Sequence, residues 1–445
     1  MTAVSDDYRD RLVLVIGYGR TGAAVARFLL DAGARVRVSD RRPAAELGAP
    51  AGDPRLELRC GGEHLADLDG VTVVVPSPGV AADAPLLREA LRRGIPVRAE
   101  LELAARALAI PLLAVTGTNG KSTTTTLLDE MLRAGGERPF VGGNLGTPLI
   151  SAVGGEHSMA VVEVSSFQLE WVDRFRPRVG ILLNVTEDHL DRYADLDAYG
   201  ATKLRLFARQ TAEDVAILNG GDPWIRAHAR PPRAATIWFG AGEGVALRAD
   251  AAAIRMRLDG REEIYPLARV ALTGAHNREN MMAAIAAARA VGIAAAAVQE
   301  ALEAFRGLPH RLELVRERDG VRWVDDSKGT NVGAVIKSLE GHERSVVLLA
   351  GGIDKGGDYG VLAPPVRRAV KRAILFGAAR DMLRRTLADA TEVEIVDTLA
   401  EAVTRAAAVA TAGDTVLLSP ACASFDMFRD YADRGRQFQA LVRAL

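Results

Sequence analysis

Short apolar runs alternate with longer stretches of helical periodicity along the whole 445-residue chain, the pattern of parallel sheets covered by helices. Strand-like runs at Leu12–Ile16, 36–38 and 71–75 form a first block that closes near Val97. A second block opens at 112–115, continues through 160–162 and 180–183, and ends in Ala-rich helical sequence before Gly307. A third repeats the alternation at 345–350, 373–376, 393–396 and 416–418. The fold class expected is α/β in three domains, at 1–98, 99–307 and 308–445. The stretch 281–298 is broken by Arg289 and Gly292 and predicts a packed helix, not a membrane span.

Composition narrows this picture by exclusion. Apolar residues at 49% and charged residues at 25% are those of an ordinary soluble globular chain. Lys and Arg total 56 against 57 Asp and Glu, so no broad nucleic-acid or membrane-surface field exists and any anion site must be local. Cys60 and Cys422 match no metal spacing and suit a reduced, cytoplasmic protein. The first residues, with Asp6, Asp7 and Arg9, lack the apolar core of a signal peptide. Turns are expected at Arg230-Pro231-Pro232-Arg233 and Gly240-Ala241-Gly242-Glu243-Gly244.

The chemistry is densest after the run at 112–115, in Thr116-Gly117-Thr118-Asn119-Gly120-Lys121-Ser122-Thr123. Helical sequence follows, so the order is strand, loop, helix. Glycines let such a loop turn its amides toward phosphate, a helix N-terminus adds positive charge, Lys121 reaches the outer phosphates, and Ser122 offers a magnesium ligand. A strict P-loop has four residues between its first glycine and the Gly-Lys pair. Here Val115 occupies that first place, and only two residues separate Gly117 from Gly120. An ordinary glycine turn before a helix shares this pattern, but Lys121 and the strand before it weigh toward phosphate.

Gly17-Tyr18-Gly19-Arg20-Thr21-Gly22 also follows a strand and opens a helix, with Asp40 at the end of the next strand. Alone it suggests a dinucleotide fold, and Arg41 and Arg42 suggest a ribose phosphate. No hydride-transfer site accompanies it, so a nucleotide carried within a larger substrate suits it better than NAD(P). Ser77-Pro78-Gly79-Val80 can line the same crevice or form an ordinary turn.

Glu163 at a strand end is placed to hold magnesium beside phosphates, although solvated acids also occupy such positions. Asn184-Val185-Thr186-Glu187-Asp188-His189-Leu190-Asp191-Arg192 crowds acids around one imidazole. It suits either a surface acidic loop or a metal and substrate site. Lys203 alone reads as a solvated helix charge.

Taken together, the shortened phosphate loop, Glu163-Val164-Ser165-Ser166-Phe167-Gln168-Leu169, the segment from Asn184 to Arg192, and Gly274-Ala275-His276-Asn277-Arg278-Glu279-Asn280 resemble the Mur ligases of peptidoglycan synthesis over all three blocks. Asp325-Asp326-Ser327-Lys328-Gly329-Thr330-Asn331 and Ser419-Pro420-Ala421-Cys422-Ala423-Ser424-Phe425-Asp426 are similar to the branch that adds D-glutamate. Gly329 stands where many relatives have Ala, and Tyr431 where Phe is frequent.

The resemblance implies a Rossmann-like amino-terminal domain, a central P-loop-type ATPase domain with a mostly parallel sheet, and a Rossmann-like carboxy-terminal domain. It implies a cytoplasmic, monomeric enzyme without nucleic-acid or stable membrane partners. The enzyme would join D-glutamate to UDP-N-acetylmuramoyl-L-alanine using ATP and two Mg2+ ions. Thr21, Asp40, Arg42, Ser77, Gly79, Asn144 and His189 would then contact the UDP substrate. Gly117, Thr118, Asn119, Gly120, Lys121, Ser122, Thr123, Asn277, Asn280, Arg311, Asp326 and Lys328 would hold ATP. Thr330, Lys355, Ser424 and Tyr431 would receive glutamate. Lys121, Glu163, His189 and Lys203 would be catalytic, with Ser122, Glu163, His189 and a carbamylated Lys203 serving the metal. A folylpolyglutamate synthetase-like ligase shares the phosphate loop but is disfavoured by the UDP-type first block. A non-catalytic nucleotide-binding regulator has no need for Glu163, His189 and 325–331 together.

Overall fold

Three sheets realise the alternation of apolar runs and helices. In the computed structural model, residues 8–48, 52–190, 192–230, 233–258, 260–340 and 342–445 are described. The expected features at Asp6, Asp7, Asp191 and the Pro231-Pro232 turn lie outside them.

The first sheet holds β1 (Leu12–Ile16), β2 (Arg35–Asp40), β3 (Leu56–Cys60) and β4 (Val73–Pro76). Its order is β3-β2-β1-β4, and all its pairs are parallel. Val97, near which the first block was expected to close, makes an isolated parallel bridge to Val74.

The second sheet contains β5 (Leu112–Thr116), β6 (Pro139–Gly143), β7 (Met159–Glu163), β8 (Val179–Leu182), β9 (Val215–Asn219), β10 (Ala235–Phe239), β11 (Leu247–Ala249), β12 (Ala253–Leu258) and β13 (Arg261–Pro266). They lie in the order β13-β12-β11-β10-β9-β8-β5-β7-β6. Pairing is parallel from β6 across to β11 and antiparallel at β12 and β13. Every residue of β5, β7 and β8 is buried, as unbroken apolar runs require when helices cover both faces of a parallel sheet.

The third sheet, with β14 (Glu313–Arg318), β15 (Val321–Asp325), β16 (Val346–Gly351), β17 (Val370–Phe376), β18 (Glu392–Ile395) and β19 (Thr415–Leu418), runs β14-β15-β19-β16-β17-β18. Only the β14–β15 pair is antiparallel. Alternate residues of β16 feed two cores, Val346, Leu348 and Ala350 on one face and Val347 and Leu349 on the other. This is the period-2 signature of a strand buried on both sides.

The stretch 281–298 is not one packed helix. Helix Ala275–Ala290 ends before Gly292, at φ 90°, and Ala295–Ala304 starts afresh. A left-handed glycine suits a helix end and breaks the run that alanine propensity alone would continue. Among the described residues no helix is long and apolar enough to cross a membrane.

By contact density the chain forms two compact units. One comprises Met1–Val185, Asp197–Val270 and Glu279–Phe305; the other comprises Thr186–Leu196, Ala271–Arg278 and Arg306–Leu445. In each, several of the residues singled out from sequence follow the carboxyl ends of parallel strands, among them Gly117, Ser77, Glu163, Asp326 and Ser424, where α/β sheets bind ligands.

Candidate active site

In the first unit, β5 passes through the glycine loop into helix Lys121–Ala134. Gly120, at φ 85°, is the residue before that helix, and a Cβ on it would lie 2.2 Å from Asn280 Oδ1. Only glycine satisfies both the left-handed turn and this close approach. Asn280 also accepts from Thr124 Oγ1 at 3.4 Å, so the Ala-rich helix seals one wall of the loop. Asn184, at the end of β8, braces the other: its carbonyl accepts from Thr118 N at 3.0 Å and its side chain exchanges hydrogen bonds with the Asn119 backbone.

Lys121 Nζ lies across the loop, donating to the carbonyls of Gly117 and Thr118 at 2.8 Å each. Ser122 Oγ donates to Glu163 Oε2 at 2.6 Å, and Asn144 Nδ2 donates to Glu163 Oε1 at 2.6 Å. A buried carboxylate between a hydroxyl and an amide is a hard-oxygen donor set suited to Mg2+. Lys203, 1% exposed, donates to Gly117 O at 3.0 Å and lies 4.3 Å over the Tyr199 ring. It is therefore no solvated helix charge; its amine sits directly behind the phosphate loop.

The amino-terminal glycine turn occupies the end of the first sheet. Tyr18 N and the Arg42 backbone and guanidinium all donate to Asp40. The hydrogen bonds from Arg42 hold its carboxyl well below the usual carboxylate range. Ser77 Oγ closes the turn on Gly17 O at 2.9 Å. Thr21 is the second residue of the adjoining helix, and Gly79 lies exposed beyond Ser77. Asn144 is separate from this group and belongs with Glu163.

In the second unit, Asp188 accepts from Asn331 Nδ2 at 3.0 Å and pairs with Lys355 Nζ at 3.3 Å. His189 follows at φ 57°, a left-handed conformation uncommon for a non-glycine residue and frequent at functional sites. Asp188, His189, Thr330, Lys355 and Tyr359 help to line a cavity of about 230 Å³. Asn277 turns back to the Thr273 carbonyl at 2.8 Å, apart from this cavity lining.

Asp326 follows β15 and accepts hydroxyl bonds from Ser419 at 2.7 Å and Ser338 at 2.8 Å. Burial pushes it up to about 6, against the opposing pull of these hydroxyls and of Arg311. Lys328 Nζ lies 4.4 Å over the Tyr431 ring. Ser424 is buried, while the next residue, Phe425, is 71% exposed. Arg434, absent from the sequence expectations, is fully buried and donates to Ser327 Oγ and to the carbonyls of Ser327, Gly351 and Cys422. In sequence it looks like one more charge on a polar helix. Burial raises the Cys422 thiol to about 11, which suits packing and not nucleophilic attack.

Ligand atoms of His310, Glu313 and Asp325 lie within 4.8 Å of one another, a grouping able to hold a cation. The Gln439 amide already contacts all three, at 3.3, 2.9 and 2.9 Å. The oxygen donors at Ser122 and Glu163 suit magnesium better.

Asp326 carries a stability prediction. The folded chain holds its proton more tightly than the unfolded one, so stability falls as pH rises from 3.8 through about 6. Asp326→Asn removes that cost and should be about 2–3 kcal/mol more stable than the parent at pH 8, with the difference vanishing near pH 4. Urea denaturation at both pH values checks this; a pH-independent difference would contradict it.

Family models match in chain order: "Mur ligase MurD-like, N-terminal domain" over residues 11–99, "Mur ligase middle domain" over 115–288, and "Mur ligase, glutamate ligase domain" over 310–422. The UDP-N-acetylmuramoylalanine--D-glutamate ligase of Syntrophotalea carbinolica is 47% identical over 446 residues, covering 99% of each chain. That of Geobacter metallireducens is 48% identical over 442 residues, covering 97% of each. The crystal structure of MurF ligase from Thermotoga maritima in complex with ADP shares the fold at TM-score 0.64 and 17% identity, covering 100% of both chains. The phosphate loop, the strand-end acids and full-length likeness agree: the chain belongs to the Mur ligase family, in the branch of the UDP-N-acetylmuramoylalanine--D-glutamate ligases.

Proposed function

We propose that the protein is the cytoplasmic ATP-dependent ligase that adds D-glutamate to UDP-N-acetylmuramoyl-L-alanine, a step in building peptidoglycan precursors. The observation that carries this is the contact chain Ser122–Glu163–Asn144 at the mouth of a lysine-bearing phosphate loop, in a chain related along its full length to such ligases. The blocks 1–98, 99–307 and 308–445 serve the nucleotide-sugar, ATP and glutamate respectively.

A carboxylate is a poor acyl donor. Transfer of the ATP γ-phosphoryl group onto the alanyl carboxylate makes an acyl phosphate and releases ADP; the glutamate amine then attacks the carbonyl carbon, loses a proton, and phosphate leaves with the C–O bonding pair. The demand on the protein is positioning and charge stabilisation, so no protein nucleophile is needed. Lys121, Arg311 and Lys328 offset phosphate charge. Thr118, Asn119, Gly120 and Thr123 line the loop, and Asn277, Asn280 and Asp326 complete the ATP contacts. Ser122 and Glu163 would hold magnesium, which would supply charge neutralisation at the phosphate oxygens, and His189 and a carbamylated Lys203 would serve a second ion. The amine of Lys203 now donates to Gly117 O, so carbamylation, which turns a donor into an anion, requires that contact to change. Thr21, Asp40, Arg42, Ser77 and Gly79 receive the UDP moiety, Asn144 and His189 the muramoyl end, and Thr330, Lys355, Ser424 and Tyr431 the glutamate.

The test is phosphate release from ATP with each substrate withheld in turn. Release should require both UDP-N-acetylmuramoyl-L-alanine and D-glutamate and fail with L-glutamate. No release with the full set would sink the assignment.

A further inference from the structure

Segment 143–150 joins parts of the first unit that are far apart in sequence. It leaves β6 and is tied at once to Glu163, whose carbonyl accepts Asn144 N at 2.8 Å and whose carboxylate accepts the Asn144 side chain. Farther on, the Gly146 carbonyl accepts Arg20 Nη1 at 2.8 Å, from the first residue of the helix after the amino-terminal glycine turn. At the far end Ile150 N donates to Glu100 Oε1 at 2.6 Å.

Glu100 is an expensive choice for a merely structural anchor. It is 2% exposed, and its second oxygen, Oε2, has no hydrogen-bond partner among the described residues. It sits where the chain crosses from the first sheet to the second. On one side Ala99 N donates to Trp171 O at 2.9 Å, and on the other Glu102 accepts the backbone N–H groups of Asp173, Arg174 and Phe175. With the linker so fixed, the Glu100 carboxyl, which burial pushes up to about 7, supplies a short hydrogen-bonded hold on the end of 143–150 through its Oε1.

We propose that segment 143–150 is a spacer that sets the separation between the nucleotide end and the phosphoryl-accepting end of the substrate, with Arg20 and Glu100 as its positioning residues. This rests on the ligase reading above. A long substrate anchored at its UDP end does not by that alone place its carboxylate against Lys121 and Glu163. Arg20 ties the spacer to the glycine turn, Asn144 ties it to Glu163, and Glu100 fixes its exit. A displacement of about 1 Å at a reacting centre costs up to about 100-fold in rate.

Steady-state kinetics on the full chain tests this. Arg20→Leu and Glu100→Ala should each lower kcat about tenfold while the KM for ATP changes by less than about twofold. Arg20→Lys keeps a donor for Gly146 and Glu100→Gln keeps an acceptor for Ile150, so both should recover most of the loss. The Arg20 side chain is exposed, so Arg20→Leu retains the parental Tm and carries the test even if Glu100→Ala does not fold. Unimpaired kcat in Arg20→Leu, or no recovery in Arg20→Lys, overturns the spacer while parental turnover upholds the ligase reading. A parent chain that releases no phosphate with both substrates overturns the ligase reading and the spacer with it.

Discussion

Lys121→Ala should release phosphate about 10³-fold more slowly than the parent, the scale expected when one preorganised charge is removed from a transferring group. Lys121 is the first residue of its helix, and its ammonium reaches back over the loop to Gly117 and Thr118. On the proposed reading this charge faces the outer phosphates of the nucleotide. Affinity for UDP-N-acetylmuramoyl-L-alanine, measured by titration calorimetry, should be unchanged, because the residues proposed for the UDP moiety belong to a different sheet. A loss of less than tenfold would remove Lys121 from the phosphoryl-transfer step.

Glu163→Gln is the second large effect expected, a fall of about 10²–10³-fold accompanied by a higher magnesium requirement. The substitution keeps the shape and one of the two acceptors but removes the charge that suits the site to a divalent cation. It also sets an amide N–H₂ against either Ser122 or Asn144, where the parent has two acceptors at 2.6 Å. Rate against magnesium concentration separates the effects: a metal role shifts the midpoint upward, whereas a positional role lowers the plateau alone. An unchanged midpoint and rate would exclude Glu163 from the metal site.

Which of these features could be read in advance depended on how far their partners lie along the chain. The phosphate loop was legible because strand, glycines, lysine and helix follow one another within a few residues, and Glu163 because it ends a wholly apolar run. Asp40 was legible because it ends the strand that follows the glycine turn and its helix. Asn184 was quoted in a signature but carried no role, since its bond to Asn119 spans 65 residues and nothing local announces it. Lys203 alone read as solvated, because its contact with Gly117 spans 86 residues of sequence and nothing local announces its burial. Strand β3 was missed because Glu57 and Arg59 interrupt its apolar residues, and β6 because proline and glycine dominate it. The Ala-rich stretch misled in the other direction, as helix propensity ran past a glycine that ends the helix.

Arg434 has a mechanical meaning beyond its burial. Ser327 follows β15, Cys422 follows β19 and Gly351 ends β16, and these are neighbouring strands in the order β15-β19-β16. One guanidinium thus staples three adjacent loops from beneath. None can loosen alone without leaving a buried donor unmatched, so the loops bearing Lys328, Lys355 and Ser424 behave as a single cooperative element. The carboxy-terminal helix, remote in sequence from two of those loops, is the part that makes them rise and fall together.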